Sequence, residues 1–180
     1  VTAFKRGVLV VAPDDTQMVG VLAQYPQAAF GVAPVGGATR AASVLAGVQH
    51  LLSQGVQRDD WVLVHDAARC LIEPSDVNRL IDACRGDPVG GLLAVPLADT
   101  LKMARHGRVQ GTLDRSDKWL AQTPQMFRCG LLHDALLQAV ANVTDEASAV
   151  EHAGYSHLLV RGSAHNLKVT YPEDFALARA

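Results

Sequence analysis

Short, uninterrupted apolar runs rich in β-branched residues recur along this chain, separated by longer stretches whose apolar residues fall at helical spacing. Gly7-Val-Leu-Val-Val-Ala12, Trp61-Val-Leu-Val-His65 and Gly91-Leu-Leu-Ala-Val95 are the strongest runs. A strand that is apolar at every position must be covered on both faces, the condition of a parallel sheet lying between helices. These three runs therefore read as the central strands of an α/β fold. Between them, Thr39 to Gln54 puts Val44, Leu45, Val48, Leu51 and Leu52 on one stripe, with Gly55 as its C-terminal stop. Pro74-Ser75 opens a second helix that turns Val77, Leu80, Ile81 and Cys84 inward and ends at Gly86. A third helix is expected from about Cys129 to Val140, and a fourth from Thr144-Asp-Glu-Ala to Gly154. Short strands are expected over His157 to Val160 and Asn166 to Val169, before a last helix with Pro172 in its first turn.

The 180 residues suffice for one domain with a proper core, so 1–180 is read as a single unit. The 16 Lys and Arg against 18 Asp and Glu leave a net charge of −2, which argues against nucleic acid or an anionic membrane as partner. No stretch approaches the roughly 20 consecutive apolar residues of a membrane span. Cys70, Cys84 and Cys129 are scattered, with neither disulfide-framework nor zinc-site spacing, and the start does not read as a signal peptide. A cytoplasmic setting is expected.

One segment breaks the alternation. Thr100-Leu-Lys-Met-Ala and Val109-Gln-Gly-Thr-Leu flank Arg105-His-Gly-Arg and read as a two-stranded ribbon turned at His106-Gly107. Such a ribbon is marginal alone in water, so it is expected to pack against something, most simply a second copy of the chain.

Four clusters carry residues suited to phosphate chemistry. Gly36-Gly37-Ala38-Thr39-Arg40 runs through Ser43-Val44 into a helix start, where free N–H groups and small side chains let a base or phosphate come close. The same pattern also fits an ordinary turn with Thr39 as N-cap. His65-Asp66-Ala67-Ala68-Arg69 lies at the carboxyl end of an apolar strand, where open α/β sheets bind ligands. An acid there can hold Mg2+ while the nearby cation engages phosphate, and it can equally be a capping Asp beside a surface Arg. Asp114-Arg115 leads through Trp119 to Gln122-Thr123-Pro124-Gln125, and Asn166-Leu167-Lys168-Val169-Thr170 lies near the end. Both set a cation beside hydroxyls that can complete a phosphate's coordination. Thr144-Asp145-Glu146 reads as a helix cap with acids at the positive helix end, and no histidine is nominated as a base.

Taken in order, these clusters, with Pro96 to Asp99-Thr100 and Lys102 and with Pro172-Glu173-Asp174, closely resemble the 2-C-methyl-D-erythritol 4-phosphate cytidylyltransferase family of the non-mevalonate isoprenoid pathway. The resemblance implies a Rossmann-like nucleotidyltransferase sandwich with a mostly parallel central sheet and a protruding β-arm over residues 97–119. It implies a homodimer that transfers a cytidylyl group from CTP to the sugar-alcohol phosphate, with Mg2+ as cofactor and pyrophosphate leaving. Gly36, Gly37, Ser43 and Ala67 would lie against CTP, and Asp66 would hold the metal. Arg69, Thr100 and Thr123 would bind the sugar phosphate, and Asp66, Arg115 and Lys168 would carry catalysis. The arm would deliver Thr100 and Arg115 into the partner's site. Transfer of this kind needs little acid–base chemistry and depends on aligning two polyanions while neutralising charge.

Two departures from the family pattern stand out. Cys70 replaces the usual proline after Asp-Ala-Ala-Arg, a change expected to be tolerated. The first strand, the glycine-rich loop with its arginine, and the Pro-Lys-Gln downstream are absent, with Val1 to Arg6 reading as the end of a helix. The 180 residues are thus expected to be an N-terminally truncated or incomplete member, short of a central strand and crippled as they stand. The alternatives are a cytidylyltransferase for another polyol phosphate such as ribitol 5-phosphate, or a non-catalytic dimeric remnant.

Overall fold

The computed structural model describes residues 4–26, 30–139 and 143–179. Strand β1 (Gly7–Val10) and helix α1 (Met18–Ala23) lead to β2 (Phe30–Ala33) and α2 (Arg40–Ser53). Next come β3 (Trp61–Val64), α3 (Pro74–Cys84) and β4 (Gly90–Pro96). A hairpin of β5 (Leu101–Arg105) and β6 (Arg108–Leu113) precedes the long β7 (Trp119–Arg128). Helices α4 (Cys129–Gln138) and α5 (Glu146–His152), strand β8 (Leu158–Arg161) and α6 (Asp174–Arg179) complete the order.

The main sheet has the order β3-β7-β4-β8. Strand β4 is parallel to β8, and β7 runs antiparallel to both β3 and β4. Three of the four strands therefore point one way, and β7 is wedged against them. Side chains on neighbouring positions of a strand face opposite sides, and the core divides accordingly. Leu92 and Phe127 pack with Val48, Leu132 and Val150 on one face. Leu93 and Met126 pack with Leu80, Ile81, Cys84 and Val160 on the other. The sheet is covered on both sides, as its continuous apolar runs require.

Local chemistry accounts for the helix starts that position the site. Thr39 is extended and its side chain accepts the Ala42 N–H, capping α2. Asp145 caps α5 and accepts the Ser148 N–H, while the Ser148 side chain reaches back to the Asp145 N–H.

Several expectations are corrected. Strand β1 does not join the main sheet: among the described residues it pairs with β2 alone, in parallel, Gly7 opposite Phe30 through Val10 opposite Ala33. Phe4 to Arg6 are not helical, and Val1 to Ala3 lie outside the described residues, as does Val140. Asn166 to Val169 form no strand, because their backbone groups are spent on loop contacts instead of a ladder. Pro172 precedes α6, whose first residue is Asp174. The ribbon forms where expected, with His106 (φ 50°) and Gly107 (φ 74°) at its turn. Strand β7 and the pair α1 and β2 were not anticipated from the sequence.

Candidate active site

The site begins where β3 ends. The Asp66 N–H donates to Thr123 Oγ1 on β7 at 2.9 Å. Thr123 Oγ1 lies 3.0 Å from His65 Nδ1, and His65 Nε2 lies 3.1 Å from the Arg69 carbonyl. A neutral imidazole with its proton on Nε2 satisfies all three contacts at once: the hydroxyl gives its own proton to Nδ1 and accepts from Asp66. The loop bearing Asp66 is thereby pinned to the main sheet.

The Asp66 carboxylate is 14% exposed and gripped from two sides. Oδ1 accepts from Arg40 (Nε at 2.8 Å, Nη2 at 2.7 Å), the first residue of α2, and Oδ2 lies 2.9 Å from Lys168 Nζ. Burial works to raise the Asp66 pKa, but hydrogen bonds from Lys168 and Arg40 outweigh it and hold the carboxyl below the usual range. The remaining edge of the Arg40 fork meets Glu146 at the start of α5, Nη1 to Oε1 at 2.6 Å and Nη2 to Oε2 at 3.0 Å. Glu146 is fully buried, which pushes its carboxyl above the ordinary value while Arg40 pulls it back. Negative and positive groups thus alternate as Glu146, Arg40, Asp66, Lys168.

A cleft of about 180 Å³ opens over this chain of charges, walled further by Arg69, Thr123, Gln125 and Asp145. Arg69 donates from Nη1 to the Asn166 carbonyl at 2.7 Å and from Nη2 to the Ala121 carbonyl at 3.2 Å, with its Nε buried and unpartnered. Burial lowers its pKa, but a guanidinium remains charged at any working pH. Gln125 braces α5, donating to Asp145 Oδ2 (2.9 Å) and accepting the Ala147 N–H (2.8 Å).

Of the residues singled out in the sequence, Asp66, Arg69, Thr123 and Lys168 meet in this cleft. Gly36, Gly37 and Ser43 form the turn into α2 and are absent from the cleft lining. The Gly36 N–H donates to the Val11 carbonyl at 2.8 Å, and the Gly37 N–H donates to Ser43 Oγ at 3.1 Å. A side chain at Gly36 would run into the Val11 backbone. Ala67 is exposed beside Asp66, and Thr100 and Arg115 are exposed at the two feet of the hairpin, outside the lining. Arg40, Glu146 and Gln125 were missed as members of the site. The signal for Arg40 was present, since a cation as the first residue of a helix opposes the helix dipole and calls for a compensating anion.

Among the described residues no group of three or more His, Cys, Asp or Glu side chains could hold a metal. No described helix is long and apolar enough to cross a membrane.

The sequence model of the family described as IspD, 2-C-methyl-D-erythritol 4-phosphate cytidylyltransferase, matches residues 2–180. The chain belongs to that family. It is 60% identical to the bifunctional enzyme IspD/IspF of Albidiferax ferrireducens, over all of this chain and 43% of that protein. It is 50% identical to the 2-C-methyl-D-erythritol 4-phosphate cytidylyltransferase of Paraburkholderia phytofirmans, over 98% of this chain and 76% of the relative. This chain therefore spans under half of the bifunctional relative and about three quarters of the shorter one. A crystal structure of 4-diphosphocytidyl-2C-methyl-D-erythritol synthase superimposes with a TM-score of 0.91 at 47% identity, covering 99% of this chain and 82% of that one. The family is one of nucleotidyltransferases, and its reaction is cytidylyl transfer from CTP to 2-C-methyl-D-erythritol 4-phosphate in isoprenoid precursor synthesis.

Proposed function

We propose that the cleft around Asp66 carries the family's reaction in the full-length protein, in a homodimer and in the cytoplasm. One observation supports this most directly: a single ionised carboxylate stands between two cations, Lys168 at 2.9 Å and Arg40 at 2.7 Å, in a cleft that also holds Arg69 and Thr123.

In the reaction, an oxygen of the sugar-alcohol phosphate attacks the α-phosphorus of CTP. The new P–O bond forms as the bond from the α-phosphorus to the bridging oxygen breaks, and pyrophosphate leaves with that electron pair. A phosphate oxygen is already ionised near neutral pH, so no side chain has to remove a proton. The chain's task is to align two polyanions and counter their charge. Lys168 meets this need as a flexible point charge, and Arg69 keeps its guanidinium in the cleft wall while two of its N–H groups hold backbone carbonyls. Thr123 fixes the Asp66 backbone. Gly36, Gly37, Ser43 and Ala67 would take the cytidine, beside the helix that starts with Arg40.

The donor set suits Mg2+ that arrives with the triphosphate. Such an ion needs only one or two carboxylates besides substrate oxygens and water. Asp66 would hold it through Oδ2, which keeps a lone pair beyond the Lys168 contact, whereas Oδ1 is taken by two Arg40 nitrogens. Bound there, it would supply charge neutralisation to the triphosphate.

Dimerisation through the hairpin is supported by its exposed apolar side chains, Met103, Val109 and Leu113, continued by Trp119 and Leu120 at the start of β7. Covering them with a second copy would carry Thr100 and Arg115 toward the partner's cleft.

Pyrophosphate release by the full-length protein, supplied with CTP, Mg2+ and 2-C-methyl-D-erythritol 4-phosphate, tests the whole. Asp66→Ala should abolish metal-dependent turnover, and wild-type rates from that variant would remove Asp66 from the mechanism. Ribitol 5-phosphate, run in parallel, should be turned over poorly.

A further inference from the structure

Between the end of β8 at Arg161 and the start of α6 at Asp174 the chain has no helix or strand. Yet Lys168, from this stretch, reaches Asp66 at 2.9 Å. An ammonium on a four-carbon stem keeps a set direction only if the backbone beneath it is held. Asn166 is the one buried residue between positions 162 and 173, and it is fully buried.

The contacts of Asn166 reach three residues that line the cleft, two on β7 and one in the loop after β3. Its Nδ2 donates to the Thr123 carbonyl on β7 at 2.8 Å. Its own carbonyl accepts from Arg69 Nη1 at 2.7 Å and from Gln122 Nε2 at 3.3 Å. Three residues on, the Val169 N–H donates to the Ala68 carbonyl at 2.9 Å, so anchors lie on both sides of Lys168. Thr123 is held through its carbonyl by Asn166 and through its hydroxyl by the Asp66 N–H. One residue of the main sheet therefore fixes the frames of both Asp66 and the loop that carries Lys168. The Asn166 Oδ1 is buried without a partner, so the side chain acts through its amide donor alone.

We infer that Asn166 is a positioning residue for cytidylyl transfer: it touches no substrate and sets Lys168 against Asp66. This rests on the reading of Lys168 given above.

A double-mutant cycle in the full-length protein tests it, with kcat/KM for pyrophosphate release measured for wild type, Asn166→Ala, Lys168→Ala and the double variant. Asn166→Ala should lower kcat/KM by roughly tenfold. Placed on Lys168→Ala, the same change should cost less than about twofold, because the cation it positions is already gone. A full additive loss on the Lys168→Ala background would overturn the inference and leave Asn166 a fold residue only. So would wild-type kinetics from Asn166→Ala alongside an impaired Lys168→Ala. Wild-type kinetics from Lys168→Ala itself would instead defeat the reading of the cleft, a separate and recognisable failure. Should Asn166→Ala not fold, Asn166→Asp keeps the volume while facing the Thr123 carbonyl with an oxygen, and it carries the same cycle, with unfolding midpoints recorded for every variant.

Discussion

Lys168 Nζ lies 2.9 Å from Asp66 Oδ2, and the other oxygen of that carboxylate is held at 2.7 Å by Arg40. Burial would favour the neutral acid, and the two cations override it. The groups a triphosphate would meet are thus already charged and oriented, so little reorganisation remains for the moment of transfer.

The first prediction concerns pH. Asp66 titrates below the ordinary aspartate range because Lys168 and Arg40 outweigh its burial, so its contribution to stability and to activity is present above the unfolded-chain pKa and is lost as pH falls through the lower folded value. Removing one cation raises that folded pKa. In Lys168→Ala the acid limb of kcat/KM should therefore move to higher pH than in wild type, alongside the lower plateau. Full pH–rate profiles of both proteins check this, and an unmoved limb would show that Asp66 does not govern it.

A second prediction concerns the buried ion pair. Arg40→Ala strands Glu146, which is fully buried and has both oxygens on Arg40. An uncompensated buried charge of this kind costs about 3–5 kcal/mol. Arg40→Ala with Glu146→Gln removes the charge together with its partner and should recover part of that loss. Urea unfolding of wild type, single and double variants measures both figures, and a double variant no more stable than Arg40→Ala would count against the pairing.

If active sites borrow Thr100 and Arg115 from the partner, mixed dimers should reveal it. Asp66→Ala and Arg115→Ala chains, each inactive alone, should regain about a quarter of wild-type activity when unfolded and refolded together in equal amounts, since half the dimers are mixed and each of those has one intact site. Activity that stays at the level of the separate variants would mean that Arg115 serves its own chain or none.

Gly90 offers a test of the sheet. Its φ of +120° lies where side chains are strained, and an added Cβ would run into the Met126 carbonyl of β7. Gly90→Ala should cost at least about 1–3 kcal/mol from the backbone strain alone. Thermal unfolding reads the loss, and an unchanged midpoint would mean that β4 and β7 part easily at this point.

How much was legible in the sequence depended on whether a segment's chemistry was local. The α2 helix could be read because Thr39 caps it and Val44, Leu45, Val48, Leu51 and Leu52 repeat at its period. The hairpin could be read because His106-Gly107 suits a turn with positive φ. Strand β7 could not, since Gln122, Thr123 and Gln125 are polar and yet buried, satisfied by distant partners at Ser163, Asn166 and Asp145. Nothing in their own neighbourhood announces a central strand. Asn166 to Val169 showed the reverse error, because a run expected as a short strand, with Leu167 and Val169 alternating with polar residues, proved to be a loop held by Thr123 and Ala68. The single charges Asp66, Lys168 and Arg69, singled out through the family resemblance that their order along the chain carries, do line one cleft. The link between them was not foreseen, because Arg40 and Glu146 gain their meaning only when α2 and α5 are brought together.

Strand β7 begins exposed beside the hairpin at Trp119, walls the cleft with Ala121, Gln122, Thr123 and Gln125, and buries Phe127 just before its end at Arg128. Its inner end, Gln125 to Phe127, is paired on both edges, with β3 and with β4, whereas Trp119 to Ala121 pair with β4 alone and the register breaks between the two stretches. Whatever grasps the hairpin therefore takes hold of the strand that carries Thr123, and the break in register at Thr123 is the joint between the stretch that assembles and the stretch that is anchored in the core.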